Sequence, residues 1–174
     1  MIAVTPEDAE WYTPPDLLSA VYETIGIPDL DPACNPDGEP NVKAKKYFRK
    51  CDDGLSHDWV GTVFLNPPYG RSIPAWIQKL VSEYIYGDVI AAIALVPNKT
   101  DTNWWLTLAG NSPALCAIHR RVRYLTPDRK VLRQGTFGSA AVLLASDTRT
   151  IARFEQVWGR FGMIWTPKFV RHGE

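Results

Sequence analysis

Residues 62–70 read Thr62-Val63-Phe64-Leu65-Asn66-Pro67-Pro68-Tyr69-Gly70. A short apolar run delivers a side-chain amide to a loop stiffened by two prolines, because proline fixes its own φ and restricts the residue before it. Asn66 offers a carbonyl acceptor in its side chain, and Pro67 offers a second in its backbone. Two acceptors converging on one point can hold the two hydrogens of an amino group. Pro68 stiffens the segment, and Tyr69 presents a ring able to stack on a flat ligand. The same residue types also make ordinary strand-ending turns. An amide, two prolines and an aromatic ring, in that order directly after an apolar strand, favour the chemical reading.

Three further segments hold candidate groups. Asp29-Leu30-Asp31-Pro32-Ala33-Cys34-Asn35-Pro36-Asp37-Gly38 places an acid at the head of a turn-rich loop. Asp52-Asp53-Gly54-Leu55 reads as an acidic turn. Glu10-Trp11-Tyr12-Thr13-Pro14 leads into a helix, whose N-terminus suits a carboxylate. Arg120, Arg121, Arg123, Arg129, Lys130 and Arg133 crowd one short region. They read equally as phosphate contacts or as a solvated basic loop. The three cysteines and three histidines show no metal-ligand spacing, so no metal is expected.

The surrounding pattern supplies elements to position these groups. Leu17, Leu18, Val21, Tyr22 and Ile25 recur at helical spacing, and proline and Gly26 punctuate a helix over residues 15–25. Short strands are expected over 29–31 and 62–65. Ser72 can cap a helix reaching residue 86, with Gly87 closing it. Residues 89–96 are nearly all apolar, as a central parallel strand covered on both faces would be. A helix over 102–109, strands over 114–118 and 139–145, a helix capped by Asp147 and a last strand at 163–165 complete the series. Strands alternating with helices indicate an α/β fold with a mainly parallel sheet flanked by helices. In such sheets ligands bind beyond the carboxyl ends of strands, which is where the candidate loops fall.

The 174 residues, 45% apolar and 22% charged, fit one domain spanning 1–174, with 1–10 as a flexible N-terminal segment. Net charge is zero, so no bulk field draws the chain to a polyanion, and a local basic patch must do so instead. Most of the seven tryptophans are expected in the core. Scattered cysteines suggest reduced thiols. The N-terminus lacks a signal-peptide pattern, and no apolar run is long enough to span a bilayer. A cytoplasmic protein without a membrane partner is the expectation.

Asn66-Pro67-Pro68-Tyr69 resembles the Asn/Asp-Pro-Pro-aromatic motif of amino-group methyltransferases, which use S-adenosyl-L-methionine. Asp31-Pro32-Ala33-Cys34 resembles their acid-headed cofactor loop, departing from it where Gly-x-Gly is usual. Asp53 and Leu55 resemble the pair that meets the adenosyl group, and Trp11 and Thr13 the segment beside the methionine part. This order is similar to the phage and prophage adenine-specific DNA methyltransferases (Dam-like). The likeness continues through Leu95-Val96-Pro97, Thr100-Asp101-Thr102-Asn103-Trp104-Trp105, Arg121-Val122-Arg123-Tyr124-Leu125 and Gly135-Thr136-Phe137-Gly138-Ser139-Ala140, covering residues 11–144.

The resemblance implies a Rossmann-like methyltransferase fold acting on double-stranded DNA in the cytoplasm of a phage-infected or prophage-carrying host. Asn66, Pro67, Pro68 and Tyr69 would form the catalytic loop. Asn66 would also border the cofactor, with Trp11, Thr13, Asp31, Pro32, Ala33, Asp53 and Leu55 around it. Tyr69, Arg121, Arg123, Tyr124 and Phe137 would meet DNA, with either Tyr124 or Phe137 as second wall of a base pocket. The target base must leave the duplex to be reached. A glutamine-amide methyltransferase of proteins shares the motif, but its N-terminal helical region and fuller glycine loop are not visible. An inactive DNA-binding relic of the same fold and an RNA adenine substrate also stay open.

Overall fold

The computed structural model describes residues 12–34, 40–125 and 137–167. Trp11, the expected N-terminal segment, Gly38 and the basic residues Arg129, Lys130 and Arg133 lie outside them. The element order is α1 (Pro15–Ile25), β1 (Leu30–Asp31), β2 (Lys46–Tyr47), β3 (Gly61–Leu65), α2 (Ile73–Tyr86), β4 (Val89–Pro97), α3 (Asn103–Gly110), β5 (Ala114–Ile118), β6 (Ser139–Ala145), α4 (Thr148–Trp158) and β7 (Gly162–Trp165). Two short 3-10 turns, Lys50–Asp52 and Gly54–Ser56, fall between β2 and β3.

Local chemistry accounts for the element ends. α1 starts on Pro14 and Pro15, buries Leu17, Leu18, Ala20 and Val21, and stops at Gly26 with φ 75°. α2 stops at Gly87, whose φ of 90° is a left-handed cap that glycine adopts without a Cβ penalty. Asp147 caps α4 by accepting the Thr150 amide at 2.8 Å. Ser72 precedes α2 but does not cap it; its hydroxyl donates instead to the Pro68 carbonyl at 3.3 Å, bracing the proline loop.

The seven strands form one sheet in the order β2-β1-β3-β4-β6-β5-β7. β1/β2, β1/β3 and β3/β4 pair in parallel, whereas β4/β6, β5/β6 and β5/β7 pair antiparallel. The sheet is therefore mixed, not mainly parallel as the alternation of elements suggested. β5 and β6 have no helix described between them, and an antiparallel neighbour needs no helical crossover. β1 to β5 point one way, and β6 and β7 the other.

Helices α1 and α4 pack together, with Trp158 Nε1 donating to Thr24 Oγ1 at 3.2 Å, and α2 packs with α3. Between the two pairs, β4 is buried from Ala91 to Pro97. Trp59, Trp76, Trp105 and Trp158 are all buried, as the composition suggested. Cys34 and Cys116 are buried and Cys51 is exposed.

At the amino end of the sheet Asp29 ties three strands together. Its carboxylate meets Lys45 Nζ at 2.7 Å, the Thr62 amide at 2.8 Å and Thr62 Oγ1 at 2.9 Å. Lys45 and the Thr62 amide hold its pKa down to about 2. This latch sets β1 against β3 with Leu30 level with Val63. The chain leaves β1 for β2 on one side and returns to β3 on the other. The point between β1 and β3 is thus a topological switch, and ligands of such sheets bind beyond the carboxyl ends of the strands there.

Candidate active site

The register of β1 and β3 decides which loops meet at that point. With Leu30 level with Val63, β1 ends one residue farther on, at Asp31, and β3 two residues farther on, at Leu65. The acid-headed loop and the Asn-Pro-Pro-Tyr loop therefore leave the sheet side by side.

Asn66 is half-buried, Pro67 and Tyr69 are buried, and Pro68 is exposed. The Asn66 amide nitrogen donates to Thr13 Oγ1 at 3.2 Å. Thr13, 2% exposed, is itself held by Asn41, whose Nδ2 donates to its carbonyl at 2.9 Å. Thr13, named through the resemblance of its Thr-Pro segment, thus reaches Asn66 directly, a contact that sequence spacing does not reveal.

Tyr69 points into an aromatic cluster. Its hydroxyl lies 2.7 Å from that of Tyr124 and 3.4 Å from the Leu95 carbonyl. The Tyr69 ring meets Tyr124 edge-on at 5.9 Å between centroids, and Phe137 edge-on at 5.1 Å. Tyr124 is 1% exposed and its hydroxyl also lies 3.2 Å from Ser139 Oγ, whereas Phe137 is only half-buried. Burial pushes the Tyr69 pKa well up and that of Tyr124 to about 12, so both phenols keep their protons at neutral pH.

On the β1 side of the switch point Asp31 ends the strand, 4% exposed. Burial raises its pKa to about 7, against which one hydrogen bond from the Ala33 amide, 3.1 Å, acts only partly. The loop is pinned by Phe48, whose amide donates to the Asp31 carbonyl and whose carbonyl accepts from the Cys34 amide. Gly54 lies against it so closely that a Cβ there would sit 2.0 Å from the Pro32 carbonyl oxygen. Trp59 Nε1 donates to the Gly54 carbonyl at 2.8 Å and fixes that approach. Asp53, exposed, and Leu55, half-buried, flank Gly54 and are thereby brought to the Pro32 loop.

The basic residues lie farther along the same edge. Arg121 and Arg123 are exposed, and with His119, Arg120 and Arg160 they line an open cleft of about 1560 Å³. Arg160 is occupied by Glu23 at 2.8 Å. The cleft opens at the carboxyl end of β5, three strand spacings or about 14 Å from β3. It adjoins Asn66 rather than covering it, since Pro14, next to Thr13, is part of its wall.

Two acceptor-bearing loops, a buried acid and a basic cleft on one sheet edge form a surface suited to a planar amine on a polyanion. Residues 3–165 match the sequence model of the family described as DNA N-6-adenine-methyltransferase (Dam). The chain belongs to this family. Membership makes DNA the substrate class and adenine methylation the activity class. It lends no support to a glutamine-amide substrate or to an inactive relic. No individual curated protein matches the chain. Among the described residues no cluster of three or more His, Cys, Asp or Glu side chains can hold a metal ion, and no helix is long and apolar enough to cross a membrane.

Proposed function

We propose that the chain transfers the methyl group of S-adenosyl-L-methionine to the exocyclic amine of an adenine flipped out of double-stranded DNA. The observation that carries this reading is Asn66 at the carboxyl end of β3, bonded to Thr13 and neighbouring the strand that ends on Asp31, in a chain of the Dam family. We read the parallel strands β2-β1-β3-β4 as its Rossmann-like half, and the whole chain as one domain working in the bacterial cytoplasm.

The donor set fits a cationic, amine-bearing cofactor. Asp31 and Asp53 supply acceptors, Leu55 an apolar surface for a flat ring, and Pro32 and Ala33 the floor between them. Thr13 would border the methionine end, and Trp11, expected beside it, lies outside the described residues. When bound, the cofactor supplies an electrophilic methyl group whose sulfur departs as a neutral thioether.

Adenine's amine is a weak nucleophile because its lone pair is delocalised into the ring. Asn66 Oδ1 and the Pro67 carbonyl accept its two hydrogens and favour the pyramidal nitrogen of the transition state. Thr13 takes the donor end of the Asn66 amide and so orients its carbonyl. In the transfer a nitrogen–carbon bond would form as the donor's carbon–sulfur bond broke, and the nitrogen's extra proton would pass to water. Pro68 keeps the loop rigid, which serves positioning.

Flipping costs a few kcal/mol, part of which stacking on Tyr69 returns. Half-buried Phe137 is the more exposed candidate for the second wall, and it would have to part from Tyr69, itself buried and edge-on to it at 5.1 Å, to admit a base. Arg121 and Arg123 hold backbone phosphates. Incubation with methyl-labelled cofactor and unmethylated DNA, followed by nucleoside analysis, should place the label on the adenine amine. Label in cytosine, or in no nucleoside, contradicts the reading.

A further inference from the structure

Three segments distant in sequence close into a ring around the acceptor loop. Asn66 donates to Thr13. Tyr12, adjacent to Thr13, exchanges both backbone hydrogen bonds with Leu125, at 3.1 and 2.9 Å. Tyr124, adjacent to Leu125, meets Tyr69 hydroxyl to hydroxyl at 2.7 Å. Tyr69 returns to Asn66 through the two prolines. The ring thus joins the acceptor loop, the N-terminal segment and the segment after β5.

The segment after β5 is built to connect the inside with the outside. Arg121 and Arg123 are exposed while Val122 and Tyr124 are buried, the two-residue alternation of extended chain. The arginines therefore face the cleft, and the tyrosine between Arg123 and Leu125 faces the catalytic loop. Tyr124 is enclosed, so its hydroxyl serves Tyr69 and Ser139 rather than a ligand. Buried hydroxyls are costly to leave unpaired, so a shift of one partner is followed by the other.

We propose that Tyr124 is a positioning residue that couples engagement of Arg121 and Arg123 by the DNA backbone to the placement of Tyr69 and Asn66. The inference rests on the proposed adenine methyltransferase reading for its ligand, but the coupling itself is a property of the free chain. Phosphates drawn to the two arginines hold the segment after β5 in place. That segment then holds Tyr69 through Tyr124, and Thr13 through the Tyr12–Leu125 pairing.

The test measures amide hydrogen exchange at Tyr12 and Leu125 in the full chain, as wild type, Tyr69→Phe and Tyr124→Phe, with and without unmethylated duplex DNA. Tyr69→Phe should speed exchange at both amides by about fivefold to tenfold, the worth of one hydrogen bond, although Tyr69 touches neither residue's backbone. DNA should slow exchange at both in the wild type. In Tyr124→Phe, which keeps the ring and its packing, DNA affinity should stay within about twofold while single-turnover methyl transfer falls about tenfold. Unchanged exchange in Tyr69→Phe, or unchanged transfer in Tyr124→Phe beside an active wild type, would overturn the coupling. A wild type that binds DNA yet labels no adenine would defeat the functional reading instead, and the exchange data would still decide the ring.

Discussion

Gly54 lies against the carbonyl of Pro32 with no room for a side chain: a Cβ would fall 2.0 Å from that oxygen. This one approach brings the acidic turn of Asp53 and Leu55 to the loop of Asp31, although the two are separated by more than twenty residues of chain. Both loops are proposed walls of the cofactor pocket, so its geometry depends on a residue that touches no ligand.

Gly54→Ala should therefore separate the walls. The backbone atom it meets cannot swing aside as a flexible side chain would, and overpacking of this kind costs about 1–3 kcal/mol. Denaturant unfolding should show that loss, and calorimetry should show cofactor affinity reduced by about tenfold or more. Wild-type values in both measurements would mean that the two loops do not act together.

Asp31 gives the free chain a pH signature. Its carboxyl has a pKa of about 7 folded against an ordinary 3.8, so between these values the folded chain binds more protons than the unfolded one. Stability from this group is then greatest at acid pH and declines as pH rises towards 7, with the penalty fully present above it. Asp31→Asn removes the penalty. The variant should melt roughly 5 °C or more above the wild type at about pH 8, the gap closing near pH 4. A constant gap across that range would show that Asp31 is ionised throughout.

Arg121 and Arg123 are proposed to touch phosphates, not bases. Replacing either with alanine should weaken DNA binding alike for all sequences. Each replacement should also lower the slope of log affinity against log salt by about one. Binding measured across a salt series checks this. An unchanged slope would return the pair to the solvated basic loop that their sequence equally allowed.

Much of the scaffold was legible because its signals are local. Pro15 and Gly26, Gly87, and Asp147 mark helix ends through their own backbone or side-chain chemistry, and the observed ends agree to within a residue or two. β2 was not legible, since Lys46 and Tyr47 are exposed and carry no apolar alternation. Strand direction was not legible either: the apolar runs of β4 and β6 look alike, and only pairing across the sheet makes them antiparallel. Within the candidate site, the residue types of the loop from Asn66 to Tyr69 singled it out, but the contacts that hold it did not announce themselves. The Thr13–Asn66 bond spans 53 residues and the Tyr69–Tyr124 contact 55, separations that periodicity does not encode. Ser72 looked like a helix cap because serine before a helix usually is one, yet its hydroxyl braces Pro68.

The proposed role of Asn66 is probed most directly by Asn66→Ala, studied by single-turnover transfer of labelled methyl to unmethylated DNA beside cofactor calorimetry on the same protein. Adenine labelling should fall by about a hundredfold or more, with cofactor affinity within a few-fold of wild type, because Asn66 Oδ1 acts on the amine in the transition state. Adenine labelling at the wild-type rate in this variant would contradict that role.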